Sequence, residues 1–151
     1  MSESARHAET LGLSQVDLDT IHAAIAAAEK ETSGEIRVHI DSRCTEDVMD
    51  RAATIFEELE MHKTEARNGV LIYLATKSRK FAILGDAGIN AQVPQGFWNE
   101  AYAHALPLLK EEKWGEALGG AVHEAGQALK KFFPYLKGDT NELSDEVSLG
   151  R

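Results

Sequence analysis

The run Gly69–Ala75 is the feature of this sequence that most limits the fold. It carries no charged residue and is apolar almost throughout. A strand with one solvent-facing side alternates apolar and polar residues, whereas a strand covered on both faces is apolar along its whole length. We therefore predict a sheet that lies between layers of helices.

Two further segments have the pattern of strands. Glu35–Asp41 alternates, with isoleucine and valine on one face and charged or histidine side chains on the other, as a strand with one polar face does. Residues 81–84 are apolar and follow the run Gly69–Ala75 after a short polar turn at 76–79. These last two strands form a hairpin in the simplest interpretation.

Two helices are predicted in the first part of the chain. Ser14 and Asp17 have the spacing of a capping box, and apolar residues then recur at helical spacing as far as the Thr-Ser-Gly sequence at 32–34. Thr45 is the predicted N-cap of the second helix, because acidic residues follow it in the first turn. The second helix is a crossover, which makes the strands on either side of it parallel.

Two more helices are predicted after the hairpin. Pro94 suits the first turn of the third helix, and Pro107 is expected to bend or end it. The fourth helix covers about 114–133. The predicted order is therefore α-β-α-β-β-α-α, and the predicted fold class is α/β, a three-layer α/β/α sandwich with a small mixed sheet.

The predicted domain is a single unit at residues 14–136. Residues 1–13 are expected to form a flexible N-terminus, because they are polar and charged. Residues 137–151 are expected to form an acidic, solvated tail. No repeat or linker divides the chain, and its length is that of one ordinary domain.

Charge and hydropathy exclude several classes of function. A formal net charge of -9 and a pI near 5.1 argue against a nucleic-acid surface and favour cations or basic proteins as partners. The sequence has neither a signal peptide nor the ~20 apolar residues of a membrane span, so we expect a cytoplasmic protein. Cys44 is the single cysteine, which rules out an intramolecular disulfide.

Candidate metal ligands converge at one edge of the predicted sheet. The start of the first strand, the start of the second and the end of the third lie at the same edge, which places Glu35, Asn68 and Asp86 there. Asn90 and Glu65 are close enough in sequence to join them. Carboxylate and amide oxygens are the ligands that Ca²⁺ and Mg²⁺ prefer. The alternative is that these residues only solvate strand ends and form turns.

Three segments together resemble the TPM domain. They are Ser-Gly-Glu-Ile-Arg-Val at 33–38, Arg-Asn-Gly-Val-Leu-Ile-Tyr at 67–73 and Phe-Ala-Ile-Leu-Gly-Asp-Ala-Gly-Ile-Asn at 81–90, followed by Phe-Trp at 97–98. The similarity covers about residues 14–133. That family includes a thylakoid-lumen photosystem II repair protein and many bacterial proteins.

The resemblance implies an α/β/α sandwich and a divalent-cation site in a cleft at the strand ends. Asp86, in the Gly-Asp-x-Gly turn, matches best, and Glu35 matches next. For some members the resemblance also implies phosphatase activity. Many members carry a signal peptide and a membrane anchor, which this sequence does not show.

Two hypotheses of function follow. In the first, the chain is an interaction or assembly module in which a bound cation orders a cleft that receives a protein partner. In the alternative, it is a metal-dependent phosphatase that hydrolyses phosphomonoesters, with Arg67 as the nearest candidate for contact with phosphate. We prefer the module, because the sequence offers cation ligands but no convincing nucleophile, and no catalytic residue is assigned.

Overall fold

The computed structural model describes residues 3–135 and 147–151 and contains a mixed sheet. The sheet has four strands in the order β3-β2-β1-β4, namely β1 (Glu35–Asp41), β2 (Gly69–Ala75), β3 (Lys80–Gly85) and β4 (Ser148–Leu149). Strand β1 is parallel to β2 and to β4, while β3 is antiparallel to β2. The predicted parallel crossover and the predicted hairpin are both confirmed.

Helices cover both faces of the sheet, as the apolar run of β2 requires. One face packs against α2 (Gln15–Glu29), α5 (Phe97–Lys110) and α6 (Trp114–Phe132), and the other packs against α3 (Val48–Glu58). Every residue of β2 is buried, because alternate side chains enter the two apolar layers. The predicted α/β fold is confirmed.

The first helix after residue 13 begins as the sequence predicts and also positions α6. Ser14 accepts a hydrogen bond from the backbone of Asp17 (3.0 Å), and Asp17 accepts one from the backbone of Ser14 (3.0 Å). The second oxygen of Asp17 accepts from the backbone N–H of Gly115 at 3.1 Å. One carboxylate therefore satisfies unpaired N–H groups at the starts of two packed helices.

A helix that the sequence analysis did not anticipate lies in the first residues. Helix α1 spans Glu3–Thr10, within the segment predicted to be a flexible N-terminus. Ala8, Leu11 and Leu13 are buried in the main core. Because α1 is short and mostly polar, its apolar contacts are too few to produce a recognisable helical period.

The starts of two predicted helices are corrected, and the effect of Pro107 on the later one is resolved. The N-cap of α3 is Asp47 and not Thr45, because the Asp47 carboxylate accepts hydrogen bonds from the N–H groups of Met49 (2.9 Å) and Asp50 (3.2 Å). Pro107 does not end α5, which continues to Lys110. The helix begins at Phe97, so Pro94 lies in the turn before it.

Two short elements between the long ones were also absent from the prediction. A 3-10 turn at Met61–Lys63 precedes β2, and a single helical turn, α4, at Ala87–Asn90 follows β3. Both flank the edge of the sheet at which the candidate ligands were predicted. Of the predicted acidic tail, residues 137–146 lie outside the described residues, whereas the later part contains β4.

Within residues 3–135 and 147–151, no helix combines the length and the apolar character that crossing a membrane requires.

The corrected N-cap of α3 can be tested directly. We expect Asp47→Ala to lower the free energy of unfolding by about 1 kcal/mol, because two N–H groups at the start of α3 lose their acceptor. Thr45→Ala is the matched control, since Thr45 is exposed and outside the helix, and we expect it to change stability by less than about 0.5 kcal/mol. Urea unfolding of both variants measures the difference. A larger loss in Thr45→Ala would restore the original assignment.

Candidate functional site

The structure brings the starts of β1 and β2 and the end of β3 to one edge of the sheet. The N–H of Glu35 donates to the carbonyl oxygen of Asn68 at 3.4 Å, and the N–H of Asp86 donates to the carbonyl oxygen of Gly69 at 2.9 Å. Glu35, Asn68 and Asp86 are all buried. The edge predicted from topology is therefore where these residues lie.

Asp86 is held by a two-point ion pair. Arg67 donates from Nε to Oδ2 of Asp86 at 2.7 Å and from its terminal nitrogen to Oδ1 at 2.8 Å. The Asp86 carboxylate also caps α4 by accepting from the N–H of Ala87 at 2.8 Å. The ion pair raises the pKa of Arg67 above its ordinary value. The guanidinium is half exposed, so it can move away from Asp86 into solvent.

Asn68 has an unsatisfied polar atom. Its side-chain oxygen Oδ1 is buried and has no hydrogen-bond partner in the part of the chain that the structure describes. Asn68 itself is 2% exposed, and its N–H donates to Oγ1 of Thr64 at 3.2 Å. A buried acceptor left unpaired costs about 1–3 kcal/mol, so a ligand that supplies a partner would be stabilised there.

The two remaining predicted ligands differ in their surroundings. Asn90 donates from Nδ2 to the carbonyl oxygen of Gly85 at 2.7 Å and accepts from the indole N–H of Trp98 at 2.8 Å. Its carboxamide therefore ties α4 to β3 and α5. Glu65 is exposed in the turn before β2, where water would compete with a cation for its carboxylate.

The turn that carries Asp86 packs tightly against the segment that carries Arg67. The N–H groups of Gly88 and Ile89 both donate to the carbonyl oxygen of Arg67, at 2.8 and 3.3 Å. A Cβ on Gly88 would collide with the carbonyl oxygen of Ala66 and would lie 2.6 Å from that of Arg67. Glycine at position 88 therefore allows the two segments to approach closely enough for the ion pair to form.

An open cavity of about 410 Å³ lies beside Asp86, between the sheet edge and α3. Its lining includes apolar, acidic and basic side chains, which are Phe56, Glu57, His62, Arg67, Leu84 and Asp86. Sequence reasoning did not connect α3 with this edge, because no local pattern shows which helix covers β3.

The arrangement at the edge fits a divalent cation only in part. Among the described residues, no three histidine, cysteine, aspartate or glutamate side chains are grouped closely enough to hold a metal ion. A cation there would depend on the Asn68 carboxamide oxygen, the carboxylates of Glu35 and Asp86, and water. Because Arg67 already neutralises Asp86, a cation and Arg67 would compete for the same carboxylate.

A second polar cluster, which the sequence analysis missed, lies at the opposite ends of β1 and β2. Asp41 is fully buried and accepts hydrogen bonds from His39 (3.1 Å), Arg51 (3.0 Å) and the hydroxyl of Tyr73 (2.6 Å). Burial alone raises the pKa of Asp41, but these donors outweigh it and hold that pKa well below the usual range. Burial, with the nearby carboxylate, raises the pKa of Tyr73.

One sequence signal could have located this cluster. Tyr73 is the polar-tipped residue in an otherwise apolar strand, and a buried tyrosine hydroxyl usually needs a hydrogen-bond partner. The parallel register places Tyr73 next to His39, and their rings are stacked with centroids 6.0 Å apart. The polar face of β1 is therefore covered, not solvated.

Comparisons with known proteins agree with this fold. The family model of the TPM domain matches residues 8–128. The chain is similar to the BA42 protein from the psychrophilic bacterium Bizionia argentinensis, with 40% identity, a TM-score of 0.83, and coverage of 91% of this chain and 95% of that one. No curated protein matches the chain.

A more distant structural likeness extends to a second solved protein. The N-terminal domain of cg2496 from Corynebacterium glutamicum has 20% identity and a TM-score of 0.58, with coverage of 78% of this chain and 74% of that one. At this identity the likeness concerns the fold alone.

The close packing at Gly88 gives a test of how the site is built. We expect Gly88→Ala to lower the free energy of unfolding by about 1–3 kcal/mol, because the added Cβ overpacks the turn against Ala66 and Arg67. Gly120→Ala makes the same chemical change in α6, where a Cβ would meet nothing within 4 Å, and should be neutral or stabilising by up to about 1 kcal/mol. Chemical denaturation compares the two. Equal stability of both variants would mean that the turn is not tightly packed.

Proposed function

Because this chain belongs to the TPM domain family, we propose that it is a divalent-cation-binding module whose site lies at the sheet edge formed by Glu35, Asn68 and Asp86. In this proposal Ca²⁺ or Mg²⁺ orders the edge and the neighbouring cavity. The ordered cavity then receives a segment of a protein partner.

The observation that carries the proposal is the buried, unpartnered Oδ1 of Asn68. A carboxamide oxygen is a hard ligand of the kind that Ca²⁺ and Mg²⁺ prefer. Burial without a hydrogen bond is costly for such an atom, and a cation removes that cost. The neighbouring carboxylates Glu35 and Asp86 supply the negative charge that the carboxamide lacks.

The charge of the chain supports a cationic ligand. Its formal net charge is -9, which raises the local concentration of cations near the surface. With few carboxylates at the site and Arg67 bound to one of them, we expect weak binding, with a dissociation constant of roughly 10⁻⁴–10⁻³ M. Arg67 acts as an internal competitor that a cation must displace.

The cavity beside Asp86 supports the role of the module. It combines the apolar side chains of Phe56 and Leu84 with the ionisable side chains of Glu57 and His62, and it is open to solvent. A protein segment with one apolar anchor fits this mixture better than a small polar metabolite does. Displacement of Arg67 from Asp86 would also change the charge that such a segment meets.

A phosphatase is the second candidate, and one observation favours it. Arg67 is half exposed and lines the cavity together with His62, which places a guanidinium and an imidazole where a phosphate could enter. The cavity lining contains no serine, threonine or cysteine among the described residues, and its Asp86 carboxylate is paired with Arg67, so hydrolysis would need an activated water or the His62 imidazole as nucleophile. For this reason the module is the better-supported function.

Removal of the Arg67 side chain separates the two functions. If the edge is a cation site, Arg67→Ala should tighten Ca²⁺ or Mg²⁺ binding by about three- to tenfold, because the Asp86 carboxylate loses its competing partner. Asn68→Ala should weaken binding. Two-dimensional amide NMR titrations of the metal-free variants give the dissociation constants, with saturable shifts expected at residues 35, 68 and 85–90.

Arg79→Ala is the matched control for this experiment. Like Arg67, Arg79 has a positive φ, of 54°, and its side chain is half exposed. It forms an ion pair with Glu112, with an N–O distance of 2.5 Å, and neither residue lines the cavity. Its removal changes the net charge equally and should leave the dissociation constant unchanged within about twofold. Unchanged binding in Arg67→Ala, or no saturable shifts at the edge in any variant, would contradict the cation-binding module.

The phosphatase makes the opposite prediction for the same variant. Hydrolysis of an artificial phosphomonoester in the presence of Mg²⁺ should fall at least about tenfold in Arg67→Ala, because the phosphate loses its guanidinium contact. Arg79→Ala should retain full activity. Wild-type protein without turnover, or turnover that survives Arg67→Ala, would exclude a phosphatase at this cavity.

A further inference from the structure

The outer edge of β1 is occupied by the segment Ser148–Arg151. Ser148 and Leu149 pair in parallel with His39 and Ile40. The ladder continues beyond these pairs, because the N–H of Gly150 donates to the carbonyl oxygen of Ile40 at 2.8 Å. The segment therefore covers a strand edge that would otherwise expose unpaired backbone groups.

The first residue of the segment is recognised by its hydroxyl group. Oγ of Ser148 lies 2.7 Å from Nδ1 of His39, while Nε2 of the same ring lies 3.1 Å from the Asp41 carboxylate. A chain of hydrogen bonds thus links the segment to the buried Asp41 cluster. Serine or threonine at this position would supply the hydroxyl.

The third residue of the segment is recognised by its lack of a side chain. A Cβ on Gly150 would collide with Oδ1 of Asp41 and would lie 2.6 Å from Nε2 of His39. The carbonyl oxygen of Gly150 also accepts a hydrogen bond from Nε2 of His7, at 2.7 Å. The side chains of β1 therefore admit glycine and no larger residue at this position, while α1 contacts its carbonyl oxygen.

The fourth residue is recognised by its charge and by its backbone. The guanidinium of Arg151 pairs with Glu46 and lies 3.8 Å from Oδ2 of Asp41. The N–H of Arg151 donates to Oδ1 of Asp41 at 3.0 Å. Its carbonyl oxygen accepts from both the N–H and the hydroxyl of Ser42, each at 2.8 Å.

From these contacts we propose that the outer edge of β1, with Asp41, Glu46 and His39, is a peptide-binding site for an extended segment of the pattern hydroxyl residue, apolar residue, glycine, arginine. Its own segment Ser148–Arg151 fills the site in cis. A peptide segment of the same chemistry from another protein binds there by displacing it and adding a strand to the sheet.

Two features favour exchange over a permanent structural role. The displaceable strand β4 is only two residues long, and most of the contacts that hold its segment are polar contacts that a second peptide of the same chemistry can replace. The Asp41 carboxylate, by contrast, is held by Arg51 and Tyr73 from the domain itself, so these contacts do not depend on the segment. A prebuilt site with a short tethered occupant behaves as a receptor with an intramolecular competitor.

The substitution Gly150→Ala in the full chain should expel the segment Ser148–Arg151 from the site while leaving the residues of β1 unchanged. The amide proton of Ser42 donates to the carbonyl oxygen of Arg151. We expect it to exchange with solvent at least about tenfold faster in this variant, since the new Cβ expels the segment. Gly120→Ala is the matched control and should keep wild-type protection at Ser42. If Gly150→Ala lowers the folded fraction, Arg151→Glu, which faces Asp41 and Glu46, serves in its place.

The emptied protein then tests binding from another molecule. A fluorescent synthetic peptide of residues 143–151 should bind Gly150→Ala protein saturably by anisotropy, and should bind wild-type protein at least about tenfold more weakly because the tethered segment competes. The same peptide carrying the Gly150→Ala change should not bind. Retained protection of Ser42, equal affinity for the two peptides, or an emptied site without saturable binding would each overturn the proposal.

Discussion

Burial of β2 on both faces is the constraint on which the rest of the structure depends. Because each of its side chains enters an apolar layer, the strand needs helices above and below it and neighbours on both edges. Most of the buried polar side chains of the sheet therefore lie at or near the ends of β1, β2 and β3, where the sheet meets loops. The two polar clusters described above lie at such ends, one at Asp86 and the other at Asp41.

Sequence reasoning located the first cluster because the relevant information is local. Strand periodicity, the crossover that makes β1 and β2 parallel, and the short turn that makes β3 antiparallel fix which strand ends share an edge. The pairing of Arg67 with Asp86 was not predictable in the same way. It depends on the left-handed backbone of Arg67, with a φ of 52°, and on the close approach that Gly88 permits, and neither produces a periodic pattern.

The second cluster escaped prediction because its contacts join distant parts of the chain. Asp41 meets Arg51 across the start of α3, Tyr73 through strand pairing, and Arg151 from the far end of the sequence. The alternation in Glu35–Asp41 correctly identified one polar face but implied that solvent covers it. Alternation reports only which side chains share a face, not what covers that face.

The two ends of the same strand pair differ in how completely their polar groups are satisfied, and this difference carries functional meaning. At the Asp41 end, the carboxylate accepts from side chains and from the backbone of the segment Ser148–Arg151, so the ligand that completes the cluster is part of the chain. At the Asp86 end, Asn68 keeps a buried acceptor without a partner among the described residues, and an open cavity there is lined by its chain neighbour Arg67 and by Asp86. Since buried polar groups are satisfied in nearly all native structures, this unpaired acceptor is the observation on which the proposed cation site rests.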